Sequence, residues 1–366
     1  MKLNSLKLSQ FKNYQEVKIS FSAGINCILG KNGMGKTNLL DAIHYLSMTR
    51  SALNSIDQQN ISHGEKYFAI NSEFTLQDKP VVINCYFEQG KKKVFKVDGK
   101  EMEKLSEHIG NVPSVLILPD DTEIIKEGSE VRRKFFDSVI SQHDRAYLEL
   151  LMNMQRLLKQ RNSFLKSNDG NLKINHNLIN VYDEALLPIF RSIVEKRTAF
   201  IEHFSPFFSE NYALIFEGEE IPDITYRSEV TEDHFEESYK KGLQKDIILQ
   251  RTNKGAHKDD YAFKLNERPI KKFGSQGQQK SFIIALKLAE YDYLKAQKGF
   301  EPLLLLDDIF DKLDDDRIER LITLLTDSER FSQIFMTDAR AERSRAFFKD
   351  HDDRISFYDI SNGAIQ

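Results

Sequence analysis

Apolar and polar residues alternate through KLNSLKLSQF and QEVKISF at the start of the chain, the two-residue period of strands with one buried face. Gly24 marks a turn, and the apolar run INCILG follows it. The period then changes. Leu39, Leu40, Ile43 and Leu46 recur at the spacing of one helical face, which predicts a helix from about Gly35 to Met48. Strand patterns return in YFAINSEF, VVINCYFEQ and KKVFKVD, with turn signals at EQGKK and DGKE. SVLILPDD predicts a buried strand that opens into an acidic loop. From about Ser129 the pattern is helical again. EVRRKFFDSVISQ and DRAYLELLMNMQRLLKQRNSFLK predict two amphipathic helices, SNDGN at 167–171 an exposed break, and 176–209 and 232–248 further helices. Beyond 255, DYAFKL, EPLLLLDD, SQIFMTD and RISFYDI predict strands, and SQGQQKSFIIALKLAEYDYLKAQ and DRIERLITLLT predict helices.

This alternation predicts an α/β chain in which residues 1–129 and 251–366 build one lobe and residues 130–250 form a mainly helical lobe inserted between them. A length of 366 residues suits that organisation, and 26 Phe and 13 Tyr allow a sizeable core. The formal net charge is −4, so the whole molecule is no electrostatic magnet for nucleic acid; local basic patches, or patches collected by dimerisation, must do any binding of that kind. Cys27 and Cys85 lie in strand-like apolar runs, which predicts buried thiols in a reducing compartment, and their spacing is not that of a zinc site. No apolar run approaches the roughly 20 residues of a membrane span, and the N-terminus has no signal-peptide core, so a soluble, cytoplasmic protein without a membrane partner is expected.

The candidate chemistry starts at GKNGMGKT, Gly30 to Thr37, which fits G-x-x-x-x-G-K-[ST] between an apolar strand and a helix. Gly30, Gly33 and Gly35 let the backbone wrap a phosphate without side-chain clash, and successive N–H groups then point inward at the positive end of the helix dipole. The expected contact set is Gly30, Lys31, Asn32, Gly33, Met34, Gly35, Lys36, Thr37 and Asn38. Lys36 would bridge the β- and γ-phosphates of ATP, and Thr37 would offer its hydroxyl to Mg²⁺. PLLLLDDIFDKLD supplies the second part. Four leucines predict a strand buried on both faces, with Asp307 at its carboxyl end, where open α/β sheets bind ligands. Asp307 is the expected partner of Mg²⁺ through water, and Asp308 the candidate general base for an attacking water.

FGSQGQQKS supplies the third part. Gly274, Ser275 and Gly277 make a second small cradle of amides directly before a helix. One phosphate loop with two anion cradles is most economically used in a head-to-tail pair, each nucleotide gripped by Lys36 of one copy and Ser275 of the other.

With these parts in this order, the sequence resembles the RecF family of the SMC branch of ABC-type ATPases across essentially the whole chain. The matching stretches are LKLSQFKNYQEVKISFSAGINCILGKNGMGKTNLLDAIHYLSMTRS, LPDDTEIIKEGSEVRRKFFD, NKGAHKDDYAF, FGSQGQQKSFIIALKLAE and LLLLDDIFDKLD. The resemblance implies a P-loop NTPase fold with an ABC/SMC-like head, the helical insert being a shortened counterpart of the SMC arm. It makes Ser275, Gln276, Gly277, Gln278 and Gln279 the signature motif acting in trans, and Asp311 and Asp314 the D-loop. Arg50 is expected near the nucleotide, and Asp338 holds the switch position with a catalytic part. No Gln follows the SVLILPDD strand where the family's Q-loop belongs; Asp121 stands there and takes the metal contact by position. Asp308 is one methylene shorter than the Glu of transporters, which fits a weak ATPase. The implied function is ATP-dependent binding of gapped or junction DNA by a clamped homodimer, in recombinational repair and replication-fork maintenance, with RecO and RecR as partners and RecA as the protein loaded.

DNA-contact candidates follow from charge. They are Lys91, Lys92, Lys93, Lys96 and Lys100 on a hairpin, Arg132, Arg133 and Lys134, and Arg268, Lys271 and Lys272; a solvated charged face is the alternative for each patch. His257, Asp259 and Asp260 suit either a metal site or a hydrogen-bonded corner. Rival functions are a transporter-type ATPase subunit, which ordinarily carries a switch His where Asp338 stands, and a structural clamp whose ATP only holds a dimer on a protein partner. A nuclease-fused ATPase would need more chain after FMTD.

Overall fold

The computed structural model describes the chain except residues 168–174, 217, 312, 350–353, 362–363 and 366. In chain order the elements are β1 (Lys2–Phe11), β2 (Tyr14–Ser20), β3 (Gly24–Leu29), α1 (Lys36–Met48), β4 (Tyr67–Leu76), β5 (Lys79–Glu88), β6 (Val94–Val97), β7 (Lys100–Glu101) and β8 (Ser114–Ile117). There follow α2 (Glu123–Lys126), α3 (Ser129–His143), α4 (Arg145–Ser167), α5 (His176–Ile215), β9 (Pro222–Arg227), α6 (Phe235–Lys241), α7 (Leu243–Leu249), β10 (Asp260–Leu265), β11 (Arg268–Pro269) and α8 (Ile270–Phe273). The chain closes with α9 (Gln276–Lys298), β12 (Leu303–Leu306), α10 (Asp315–Leu325), β13 (Gln333–Asp338), α11 (Ala341–Phe347), β14 (Ile355–Ser361) and β15 (Ala364–Ile365). Most of the exposed break expected at 167–171 lies outside the described residues.

Contacts divide the chain into two compact units. Unit one is residues 1–122, 210–218 and 275–366; unit two is 123–209 and 219–274. The boundaries expected at 129/130 and 250/251 are therefore displaced, for physical reasons that periodicity does not carry. β9 pairs antiparallel with β10 along its length, Pro222 opposite Leu265 and Arg227 opposite Asp260, which draws 251–274 into unit two. α5 continues past the expected end at 209 to Ile215, and Asn211 in its last turns donates to Asp292 of α9 (2.7 Å) within unit one.

Unit one holds two six-stranded sheets. One is antiparallel, in the order β2-β1-β4-β5-β6-β7. The other has the order β15-β14-β3-β13-β12-β8 and is parallel except for the β14–β15 pair. Apolar residues of α1 share one core with both: Leu39, Leu40, Ile43 and Leu46 lie with Leu6, Leu8 and Phe68 of the antiparallel sheet and with Leu303, Leu305 and Phe335 of the parallel one. A helix enclosed in this way is buried on nearly every side, including its polar Lys36 and Asp41. The Leu303–Leu306 run forms an interior strand, β12, flanked by β13 and β8, and is fully buried as its composition predicts.

Unit two is organised around two buried arginines. Arg197 reaches Asp137 (2.9 and 3.0 Å), Asp259 (3.1 Å) and the Ala256 carbonyl (2.8 Å). Arg161 reaches Asp183 and Asp246 at 2.8 Å each. Removing a buried cation leaves its carboxylates uncompensated, which is where such a pair is costly to break. Arg197→Met is expected to destabilise unit two by about 3–5 kcal/mol, read as a shift of its midpoint in urea unfolding. An unchanged midpoint would show that Asp137 and Asp259 find other partners.

Candidate functional site

Parallel pairing brings the separate sequence motifs to one sheet edge. Asp338 stands opposite Leu29, and Met336 opposite Leu306, so the carboxyl ends of β3, β13 and β12 lie side by side with Gly30, Asp338 and Asp307 leaving them. Gly30 N–H donates to the Asp338 carbonyl (3.3 Å).

The loop after β3 runs into α1, whose N-terminus carries no side-chain cap among the described residues. Its first amides are left for an anion. Lys36 is 4% exposed, and its Nζ rests on the carbonyls of Gly30 (2.9 Å) and Lys31 (3.4 Å). The ammonium is thereby held inside the curl of the loop. Gly35 has φ +108°, and a Cβ there would strike the Asn13 side chain. That contact discloses a part of the site that no sequence motif marks. The β1–β2 turn clasps the loop from outside: Asn13 Nδ2 donates to the Met34 carbonyl (3.1 Å), Asn38 Nδ2 to Asn13 Oδ1 (2.7 Å), and Tyr14 OH to the Gly35 carbonyl (2.9 Å). Lys12 beside them pairs with buried Asp41 (2.6 Å). Only the polar FKNY turn between two strands could have hinted at this.

Thr37 Oγ1 lies 2.9 and 3.0 Å from the two Asp307 oxygens, which brings together the two groups expected to serve Mg²⁺. A second hydroxyl, Thr337, also donates to Asp307 (2.7 Å) and accepts the Asp308 N–H (3.1 Å). Asp308 has φ +43°, a left-handed conformation that Asp tolerates better than most residues and that turns the chain sharply after β12. Burial raises the pKa of its carboxyl, with nearby Asp307 and Asp338 pushing the same way and Lys36 opposing. Asp338 itself is committed. It accepts from Arg340 N–H (2.9 Å), Arg343 (3.0 Å) and Ser344 (2.5 Å). These bonds order the start of α11, and the Asp338 charge raises the pKa of the Asp308 carboxyl.

Arg50 is exposed, just after Thr49 in a left-handed turn. Asp41 anchors that turn by accepting from Ser51 Oγ (2.6 Å) and Ala52 N–H (2.7 Å). Neighbouring His44 has its pKa lowered to about 4 by burial, Asp41 opposing and Lys287 and Arg50 assisting. Asp121 turns elsewhere. It accepts the Leu118 N–H (2.8 Å) and faces Lys287 of α9 (3.7 Å).

Ser275 caps α9 in a reciprocal box, its Oγ accepting from Gln278 N–H (3.1 Å) and its own N–H donating to Gln278 Oε1 (2.7 Å). Gln276 is exposed, and Gln279 N–H bonds the Ser275 carbonyl (2.9 Å). Asp314 caps α10 by accepting the Arg317 N–H (3.0 Å), and Asp311 N–H reaches the Asp308 carbonyl (3.3 Å).

The basic candidates divide. Lys92, Lys96 and Lys100 are exposed, as are Lys134, Arg268, Lys271 and Lys272. Lys91 is exposed and pairs with Glu88 (2.9 Å). Lys93 is not a surface charge: its Nζ is held by Asp57, Tyr45 OH and the Thr49 carbonyl, each at 2.8 Å. Arg132 forks onto Asp260 (2.7 and 3.0 Å), and Arg133 donates to the Asp259 carbonyl (2.5 Å). Lys93 and Arg132 are corrected to cations held in ion pairs and Arg133 to one bonded to a backbone carbonyl, because charge runs in sequence do not reveal which members find a partner within the fold. His257 bonds the Thr252 carbonyl (3.1 Å) and Asp259 takes Arg197 and Tyr226, which makes the corner. No group of three or more His, Cys, Asp or Glu is placed to hold a metal among the described residues. A magnesium ion accompanied by phosphates needs no such cage, and the hard oxygens of Thr37 and Asp307 suit it. No helix among the described residues is long and apolar enough to cross a membrane.

Residues 2–359 match the family described as RecF/RecN/SMC N terminal domain. The DNA replication and repair protein RecF of Cytophaga hutchinsonii is 45% identical, over 100% of this chain and 97% of its own. That of Flavobacterium johnsoniae is 45% identical over 95% of this chain and 97% of its own. Among solved structures, the recombination mediator protein RecF with ATP, of the RecFOR pathway, superposes with a TM-score of 0.87 at 29% identity, covering 100% of this chain and 96% of that one. An Smc head bound to the winged-helix domain of ScpA superposes at 0.57 with 18% identity over 100% of this chain and 96% of that one, a likeness of fold alone.

Proposed function

The chain belongs to the RecF family, and from that premise we propose that it is a weak ATPase that closes as an ATP-clamped homodimer on gapped or junction DNA and serves recombinational repair and replication. The observation that carries this is the meeting of Lys36, Thr37, Asp307 and Asp308 at the ends of neighbouring parallel strands. Lys36 and the uncapped amides of α1 bind the triphosphate. Thr37 and Asp307 would hold magnesium, which neutralises phosphate charge when bound. Asp308 orients a water and accepts its proton. The Ser275 turn closes over the nucleotide of the second copy, so that dimerisation completes each site. Unit two takes the place of the SMC arm. RecO and RecR act as partners, and RecA loading is the outcome. Support for these partners is the likeness to the solved RecF, a recombination mediator of the RecFOR pathway.

The test is binding of gapped, duplex and single-stranded DNA with ATP, with ADP and without nucleotide, across a salt series. ATP-dependent affinity that falls linearly on a log–log salt plot is expected. If no DNA binds and none alters ATP turnover, the repair reading fails while the ATPase reading stands.

A further inference from the structure

Strand alternation gives the antiparallel sheet of unit one two unlike faces. Phe68 and Ile70 of β4, Ile83 and Cys85 of β5 and Phe95 of β6 are buried in the core with α1. The opposite face carries an exposed aromatic pair. Tyr67 and Tyr86, 36% and 39% exposed, stack with ring centres 5.7 Å apart and planes 29° from parallel. Pairing register lays a polar row beside them. Lys18, Lys7, Asn71, Asn84 and Lys96 stand abreast on β2, β1, β4, β5 and β6, and Asn84 Nδ2 donates to Asn71 Oδ1 (2.7 Å). At ~4.8 Å per strand the row spans about 19 Å. Exposed Lys91 and Lys92 follow Glu88, the residue opposite Tyr67. Two carboxylates of the face are already engaged: Glu88 accepts from Lys91 (2.9 Å) and Tyr86 OH (3.1 Å), and Glu16 pairs with Lys7 (2.8 Å). Glu73 and Glu101 share the face, so stacking rather than net charge must supply most of any affinity for an anion.

We infer that this face is a stacking platform for single-stranded DNA, the unpaired strand of a gapped substrate; the inference rests on the DNA reading above. Tyr67 and Tyr86 present flat apolar rings to water, and a base has a flat π-face to lay on them whatever its sequence. The lysine row alongside meets the phosphates, which hold the strand without reading it. Open antiparallel sheets with rings on adjacent strands recognise unstacked bases in this way. A duplex brings the same phosphates but keeps its base faces covered, so the rings discriminate between the two. Lys7 and Glu16 are both well exposed, and such a pair gains little in water, so a phosphate can take the place of Glu16.

Binding of oligo(dT) and of a blunt duplex by the full chain with ATP, across a salt series, tests this. Tyr67→Ala and Tyr86→Ala are each expected to weaken oligo(dT) binding roughly 5- to 150-fold, with duplex binding unchanged and Tm little moved. Tyr67→Phe and Tyr86→Phe keep the ring and should keep the affinity. Lys18→Gln combined with Lys96→Gln should lower the log–log salt slope for oligo(dT) by about 1.4, two phosphate contacts at ~0.7 each. The chain has no tryptophan, so Tyr86→Trp supplies a single reporter whose emission oligo(dT) should quench. Oligo(dT) affinity within twofold of the parent in both alanine variants overturns the platform, and so does an equal loss for duplex. Loss of ATP-induced dimerisation in those variants with oligo(dT) binding intact would make the face an interface between copies instead. If the parent binds duplex but no oligo(dT), the platform falls and the DNA reading stands; if it binds neither, both fall.

Discussion

Asp308→Asn is expected to abolish steady-state ATP turnover, by roughly 10²- to 10⁴-fold, while the ATP-bound dimer persists. An amide has the shape of the carboxylate but cannot accept the proton of an attacking water. The fold should tolerate it, because Asn shares the tolerance of Asp for the left-handed backbone found at φ +43°. Removing one negative charge from beside Asp307 and Asp338 also relieves repulsion of the triphosphate, so the bound state should tighten. The same electrostatics set a pH dependence. Burial first, then Asp307 and Asp338, raise the carboxyl pKa against the pull of Lys36. The base form is the active one, so turnover should be full above that raised pKa and decline as pH falls through it, at a pH above the ordinary Asp range. Single-turnover and steady-state assays with sedimentation would check both halves. Turnover within twofold of the parent would remove Asp308 from the base role.

Lys36→Ala is expected to weaken ATP binding by about 2–5 kcal/mol, or roughly 30- to 5,000-fold, and to abolish the ATP-induced shift from monomer to dimer. The ammonium rests on loop carbonyls in a nearly closed pocket, where an attraction to phosphate is little screened. Its partners are loop oxygens rather than core carboxylates, so the loss should fall on ligand affinity and leave Tm nearly unchanged. Isothermal titration with ATP, paired with a thermal melt, separates the two. Unchanged affinity would mean that the α1 amides alone hold the triphosphate.

Sequence reading agreed with the structure where the elements are local in the chain. The phosphate loop combines strand, glycines and helix in contiguous residues, and the Leu303–Leu306 strand carries its acid directly at its end. It went astray where a side chain's role depends on what lies opposite. Lys92 and Lys93 look alike in sequence, yet one is exposed and the other is locked to Asp57. Thr337 supports both Asp307 and Asp308 across 30 and 29 positions, and Asp121 faces Lys287 of α9. Neither has a local signal.

Periodicity and contiguous motifs alone determined the α/β alternation, the glycine-rich turn before α1, the acidic end of β12 and the helix start at Ser275, because each arises from backbone geometry and neighbouring residues. Pairing decided the remainder. The strand order β3-β13-β12 set Gly30, Asp338 and Asp307 abreast; β9 joining β10 moved the unit boundary; and ion pairs with Asp57 and Asp260 drew in Lys93 and Arg132. Long-range contacts are fixed by complementary shape and charge between distant segments, and no stretch of one segment contains that information.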